Sequence, residues 1–145
     1  MPYSGKYTPK NPSKYKGDPY NIIYRSSWER RVMKFWDENK NCVWWASEEM
    51  SIPYVSPTDN KKHRYFPDFI AHMKQKDGSV KTLMLEVKPE KQTRPPVKKS
   101  RATKSYIHEC VTYEVNQAKW KAAKEFCADR LIEFKVITEN ELGIK

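Results

Sequence analysis

Asp68, Glu86 and Lys88 have the residue types and spacing that could do chemistry in this chain. Asp68 follows Pro67 and leads into Phe69-Ile70-Ala71, while Glu86 follows Leu83-Met84-Leu85, so both carboxylates stand in apolar, strand-forming surroundings. Charge in such a place is strongly unfavourable unless something compensates it. A divalent cation would compensate both groups, and Mg²⁺ or Mn²⁺, hard ions that take oxygen ligands, suit a pair of carboxylates. Such an ion activates water and polarises a phosphate. A lysine beside it can orient the water or stabilise the charge that builds up at phosphorus. A salt bridge from Lys88 to Glu86 or Asp68 is the competing reading.

Whether the carboxylates share a face depends on the turn at Lys76-Asp77-Gly78. A two-residue turn at Asp77-Gly78 sets Asp68 against Val87 and sends Glu86 to the other face. A three-residue loop with Gly78 in the left-handed position pairs Gln75 with Ser79, and so Asp68 with Glu86. Directly opposed residues lie about 5 Å apart at Cβ, and Lys88 falls on the same face one strand repeat further on. The glycine favours the second register, and a β-bulge would defeat it.

Several elements must position these groups. Ser26-Ser27-Trp28-Glu29 reads as a capping box opening a helix, on which Trp28, Val32, Met33, Phe35 and Trp36 form one apolar arc. Glu29 falls inside that arc, either as a cap alone or as a third acid facing the pair; Arg30, Arg31, Lys34, Asp37 and Glu38 fall outside it. Residues 42–46 and 51–55 read as short strands or one bent strand, with Glu48 and Glu49 in a solvated turn. Lys61-Lys62-His63-Arg64 is a basic entry to the hairpin, where His63 and Arg64 can meet phosphate. From Pro89 to Lys104 runs a basic flap carrying Lys91, Arg94, Lys98, Lys99, Arg101 and Lys104, suited to phosphates beside the site. Residues 106–115 read as a strand or more flap, residues 116–130 as a helix, 131–138 as a strand, and Thr138-Glu139-Asn140-Glu141 as the start of a short last helix. This is an α/β order, with the second long helix as a crossover to a parallel last strand.

Composition narrows the class further. With 145 residues, 38% of them apolar, and five tryptophans, the chain suffices for one core. The expected division is an extended basic N-terminal arm over residues 1–21 and a single domain over 22–145 that includes the flap at 89–104. A formal charge of +10 favours a polyanion as partner. No apolar run approaches a membrane span, the polar N-terminus does not read as a signal peptide, and the expectation is no membrane partner. Cys42, Cys110 and Cys127 make no zinc or disulfide pattern and suit a reducing cytoplasm.

Pro67-Asp68 followed by Glu86-Val87-Lys88 resembles the PD-(D/E)xK nuclease superfamily, and Ser26-x-x-Glu29 resembles the endonuclease subunit of heteromeric bacterial transposases. Nearly the whole chain, including Tyr24-Arg25-Ser26-Ser27-Trp28-Glu29, Trp45-Ala46-Ser47-Glu48-Glu49, His63-Arg64-Tyr65 and Asn116-Gln117-Ala118-Lys119-Trp120-Lys121, is similar to the head completion nucleases of T-even-type phages. The resemblance implies a restriction-endonuclease-like α/β core, a central mixed sheet flanked by helices, and Mg²⁺- or Mn²⁺-dependent cleavage of double-stranded DNA. It also implies a role in preparing filled heads for tail joining, with head, portal or neck proteins as partners, in the bacterial host's cytoplasm or with the virion. Carried over to this chain, Asp68 and Glu86 become metal ligands, Lys88 the catalytic lysine and Glu29 an auxiliary acid. The alternative is a structural DNA-binding head or neck protein in which cleavage is incidental.

Overall fold

The computed structural model describes residues 2–143. In chain order the elements are β1 (Pro2–Tyr7), β2 (Ile22–Ser26), α1 (Ser27–Glu38), β3 (Cys42–Ala46), β4 (Ile52–Val55), β5 (Lys62–Tyr65), β6 (Phe69–Lys74), β7 (Val80–Val87), α2 (Lys104–Asp129), β8 (Ile132–Ile137) and α3 (Glu139–Leu142). Met1 and residues 144–145, the outer ends of the expected arm and domain, lie outside the described residues.

The acidic stretch occupies the middle of a mixed four-stranded sheet of order β3-β6-β7-β8, in which only the β7/β8 pair is parallel. The register is that of the three-residue loop. Gln75 N–H donates to the Ser79 carbonyl at 2.7 Å, Gly78 has φ +88°, and the pairs run from Lys74↔Val80 to Phe69↔Leu85. Glycine adopts that φ without the Cβ clash any other residue would meet. One further step would set Asp68 against Glu86, yet the ladder stops at Phe69. The Asp68 side chain takes over there, its Oδ2 accepting the Val87 N–H at 2.8 Å.

Successive strand residues face opposite ways, and this sorts the core into two layers. On one face Val32, Met33 and Trp36 of α1 pack with Trp45, Phe69, Ala71, Leu85 and Val87. On the other, Trp120, Ala123 and Cys127 of α2 pack with Met84 and with half-buried Phe134 and Val136 of β8. α2 is thus the crossover that a parallel β7/β8 pair requires, and mixed sheet plus flanking helices make the α/β class expected from the sequence. β4 and β5 form a separate antiparallel ribbon under α2.

Three local expectations are corrected. Residues 106–115 are neither strand nor flap but the first turns of α2, a 26-residue helix capped by Thr103, whose hydroxyl accepts the Tyr106 N–H at 3.1 Å. Ile107, Val111 and Val115 recur every four residues, so helical periodicity overrides the weak strand preference of β-branched side chains. Asp37, placed outside the buried arc of α1, is fully buried, while Phe35, placed inside it, is exposed. The N-terminal segment causes the first of these: β1 pairs with β2, and the chain after it lays the Lys10 and Asn11 N–H groups and the Tyr7 hydroxyl on the Asp37 carboxylate at 2.7–3.0 Å. Tyr15 is then buried against Trp45, and Lys16 N–H donates to the Trp45 carbonyl. Finally, only half of the capping box forms at α1. Ser26 accepts the Glu29 N–H at 3.1 Å, but the Glu29 carboxylate reaches the Arg25 N–H rather than that of Ser26.

Candidate active site

Asp68 stands where β6 begins and Glu86 where β7 is about to end. Burial raises both carboxyls above their ordinary range, and for Asp68 the neighbouring Glu86 charge is the next cause. Attractions oppose this at Glu86, first that of Lys88, whose Nζ lies 3.4 Å from Oε2, and then that of the Tyr65 hydroxyl, which donates to Oε1 at 2.5 Å. Glu86 is 4% exposed and Lys88 is half-buried, so the pair is shielded from water. Lys88 continues the strand beyond β7, its N–H donating to the Ile137 carbonyl at 3.0 Å.

Glu29 reaches the same place from the first turn of α1. It lines a cleft of about 250 Å³ together with Ser26, Trp28, Val87, Lys88, Pro89 and Gln92. Burial raises its carboxyl too, and its charge is felt at Asp68. The fold therefore brings Asp68, Glu86, Lys88 and Glu29 together. Among the described residues no three or more His, Cys, Asp or Glu side chains form a ready metal cluster. The donor set nevertheless suits Mg²⁺ or Mn²⁺, because such ions are commonly held by one or two carboxylates, with water and substrate phosphate completing the shell. Glu86 raises the proton affinity of Asp68, and a dication between the two carboxylates would relieve that repulsion.

The expected phosphate contacts divide into two groups. Lys91, Arg94, Lys98, Lys99, Arg101 and Lys104 are all exposed, from the short turn at Glu90–Thr93 to the start of α2. Lys91 of the flap approaches Glu109 of α2 at 3.8 Å, and within the flap Arg94 approaches Glu90 at 3.6 Å, both loose pairs that a phosphate can replace. On β5, Arg64 is exposed, whereas the His63 ring is tied to Asp59 at 2.8 Å.

Three contributors gave no sign in the sequence. Tyr65 sits beside Phe66-Pro67-Asp68, but nothing in its spacing shows that its hydroxyl turns to Glu86. Lys119 of α2 lies 5.9 Å from the Tyr65 ring centre and 6.0 Å from that of Tyr54, and its charge lowers the Glu86 carboxyl. Glu48 is not simply solvated: with φ +54° it presents its carboxylate to Arg25 Nε at 3.0 and 3.2 Å, and its charge acts on Glu29.

The sheet and its helices have the arrangement of restriction-endonuclease-like nucleases. The chain belongs to the TnsA-like endonuclease N-terminal family, whose model matches residues 39–139, and it is a nuclease by that membership. The matched stretch holds Asp68, Glu86 and Lys88 and stops short of Glu29. The chain is also 43% identical over 146 residues to the Head completion nuclease of Enterobacteria phage T4, covering 98% of this chain and 95% of that protein. No solved structure matches it. Among the described residues no helix is long and apolar enough to cross a membrane.

Proposed function

We propose that this chain is a Mg²⁺- or Mn²⁺-dependent deoxyribonuclease that cuts double-stranded DNA during phage head completion, processing packaged ends so that filled heads can join tails. The observation that carries the site assignment is half-buried Asp68 beside buried Glu86, with the Lys88 ammonium on one Glu86 oxygen. The T4 relative's name supports the biological step.

In this reading Asp68 and Glu86 hold the ion, which when bound supplies an activated water and polarises the scissile phosphate. Lys88 lies against Glu86 and offers its charge to the phosphate as negative charge builds up. Glu29, its carboxyl raised by burial, faces the cleft as an auxiliary acid and can take up or release a proton there. Lys91, Arg94, Lys98, Lys99, Arg101 and Lys104, with Arg64 and His63, neutralise flanking phosphates. The division kept in this reading is a basic N-terminal arm, residues 1–21, and a single nuclease domain, residues 22–145, with its flap at 89–104. The setting is the host cytoplasm or the virion, with head, portal or neck proteins as partners.

The test is cleavage of supercoiled and linear DNA with Mg²⁺, Mn²⁺ or EDTA. Wild type is expected to cut only with metal, and Asp68→Ala to lose at least about 100-fold in rate while folding and binding DNA normally. Cleavage in EDTA would remove the metal. An undiminished Asp68→Ala rate would remove the site.

A further inference from the structure

A second cavity, about 510 Å³, lies between the flap and α2. Its walls are mixed in character. Pro95, Pro96 and Val97 are apolar, Tyr113 contributes a half-buried ring, and Arg94 and Lys99 bring positive charge. The acid in its lining, Glu109, is already paired with Lys91. Asn116 also lines the cavity. It is 5% exposed, and its Nδ2 is buried with no hydrogen-bond partner among the described residues. A buried donor in that state is unfavourable, and a turn of the Asn116 side chain toward the cavity would give it an acceptor on an entering group. Gln92 lines both this cavity and the catalytic cleft, so the two adjoin.

We propose that the cavity takes one unpaired nucleotide of the DNA strand, beside the phosphate being cut. The position beside the cut rests on the nuclease reading; the nucleotide itself is argued from the cavity. Its volume is that of a small-ligand site. Cations at the flap suit the phosphates, the Tyr113 ring and proline walls suit the face of a base, and the Asn116 amide suits an acceptor on the base edge. An inorganic anion would need the cations but neither the apolar walls nor the buried amide. A base still paired in a duplex cannot enter, so the nucleotide must come from a frayed end, a gap or a flipped position.

Binding measured in EDTA separates this from cleavage. The probes are a short fluorescein-labelled single strand of DNA and the same strand in a blunt duplex, with the full-length protein. Wild type is expected to hold the single strand at least about fivefold more tightly than the duplex, the low end of what one stacked base contributes. Asn116→Leu should abolish that preference, leave duplex affinity unchanged and keep the melting temperature, since an apolar residue of similar size removes the unpaired donor. Should Asn116→Leu fail to fold, Tyr113→Ser is read in the same way. Equal wild-type affinity for the two DNAs overturns the proposal, as does a folded Asn116→Leu protein that keeps the preference. Continued cleavage by Asp68→Ala would remove the catalytic assignment, yet a preference lost in Asn116→Leu would still support the pocket.

Discussion

Both oxygens of Glu86 are engaged by the protein itself, Oε1 by the Tyr65 hydroxyl and Oε2 by Lys88. Tyr65 is itself 3% exposed, with Lys119 near its ring, so the hydroxyl has little freedom and fixes the rotation of the carboxylate. An outer hydrogen bond that orients a metal-binding carboxylate is commonly worth about 10- to 100-fold in metal affinity. Tyr65→Phe is therefore expected to weaken Mn²⁺ binding by about that factor, measured by calorimetric titration without DNA, and to lower stability by about 1–3 kcal/mol in urea unfolding. Unchanged Mn²⁺ affinity with the stability loss present would make Tyr65 a structural residue only. In the sequence Tyr65 has no distinguishing mark, because a strand tyrosine is ordinarily a core residue whose hydroxyl partner depends on the fold.

At the scale of elements, the N-terminal segment and α1 act as one piece through Asp37. Burial would raise this carboxyl, but the Tyr7 hydroxyl and the Lys10 and Asn11 N–H groups outweigh it and hold it below the ordinary aspartate range. A carboxyl depressed by folding contributes stability that is complete above its unfolded value of about 3.9 and is lost as pH falls through the lower folded value. Asp68 and Glu86 shift in the opposite sense, so wild type alone would mix the two effects. Their contribution cancels in a comparison of wild type with Asp37→Asn. That substitution is expected to cost about 2–3 kcal/mol at pH 7, since it weakens hydrogen bonds to a charged acceptor, and the cost should shrink as pH falls below about 4. Urea unfolding at both pH values checks it, and a cost independent of pH would mean that the arm is held by other interactions. Helical pattern alone put Asp37 well outside the apolar arc, because the segment covering it comes from a distant part of the chain.

For the whole molecule, a net charge of +10 on 145 residues predicts DNA binding that weakens steeply with salt. The exposed flap should carry a separable share of that dependence. Replacing Lys98 and Arg101 together by alanine is expected to lower the slope of log affinity against log salt by about 2, near 0.9 for each phosphate of duplex DNA that is no longer neutralised. Fluorescence anisotropy over a salt series measures the slope, and an unchanged slope would place both side chains off the DNA path. The folded core supplies the rigid counterpart to this surface charge. Its mixed sheet is clamped between α1 and α2, and the cleft opens at the end of β7, where Val87 and Lys88 follow Glu86 and meet Glu29 of α1.

The sequence by itself determined the α/β class, the hairpin register and the crossover to a parallel last strand. Each rests on information local in the chain: side-chain alternation, a glycine needed at φ > 0, and periodicity along a helix. It also singled out Asp68, Glu86 and Lys88, because charge inside apolar strands is conspicuous wherever it occurs. Tertiary structure alone decided that Asp68 caps the ladder through the Val87 N–H, that Glu29 answers to Arg25, and that Tyr65, Lys119 and Glu48 join the charge network. It likewise buried Asp37 under the arm, whereas the helical state of residues 106–115 follows from the four-residue spacing of Ile107, Val111 and Val115. The tertiary outcomes depend on which surfaces meet after folding, and hydrogen bonds between residues tens of positions apart leave no trace in the spacing of either partner.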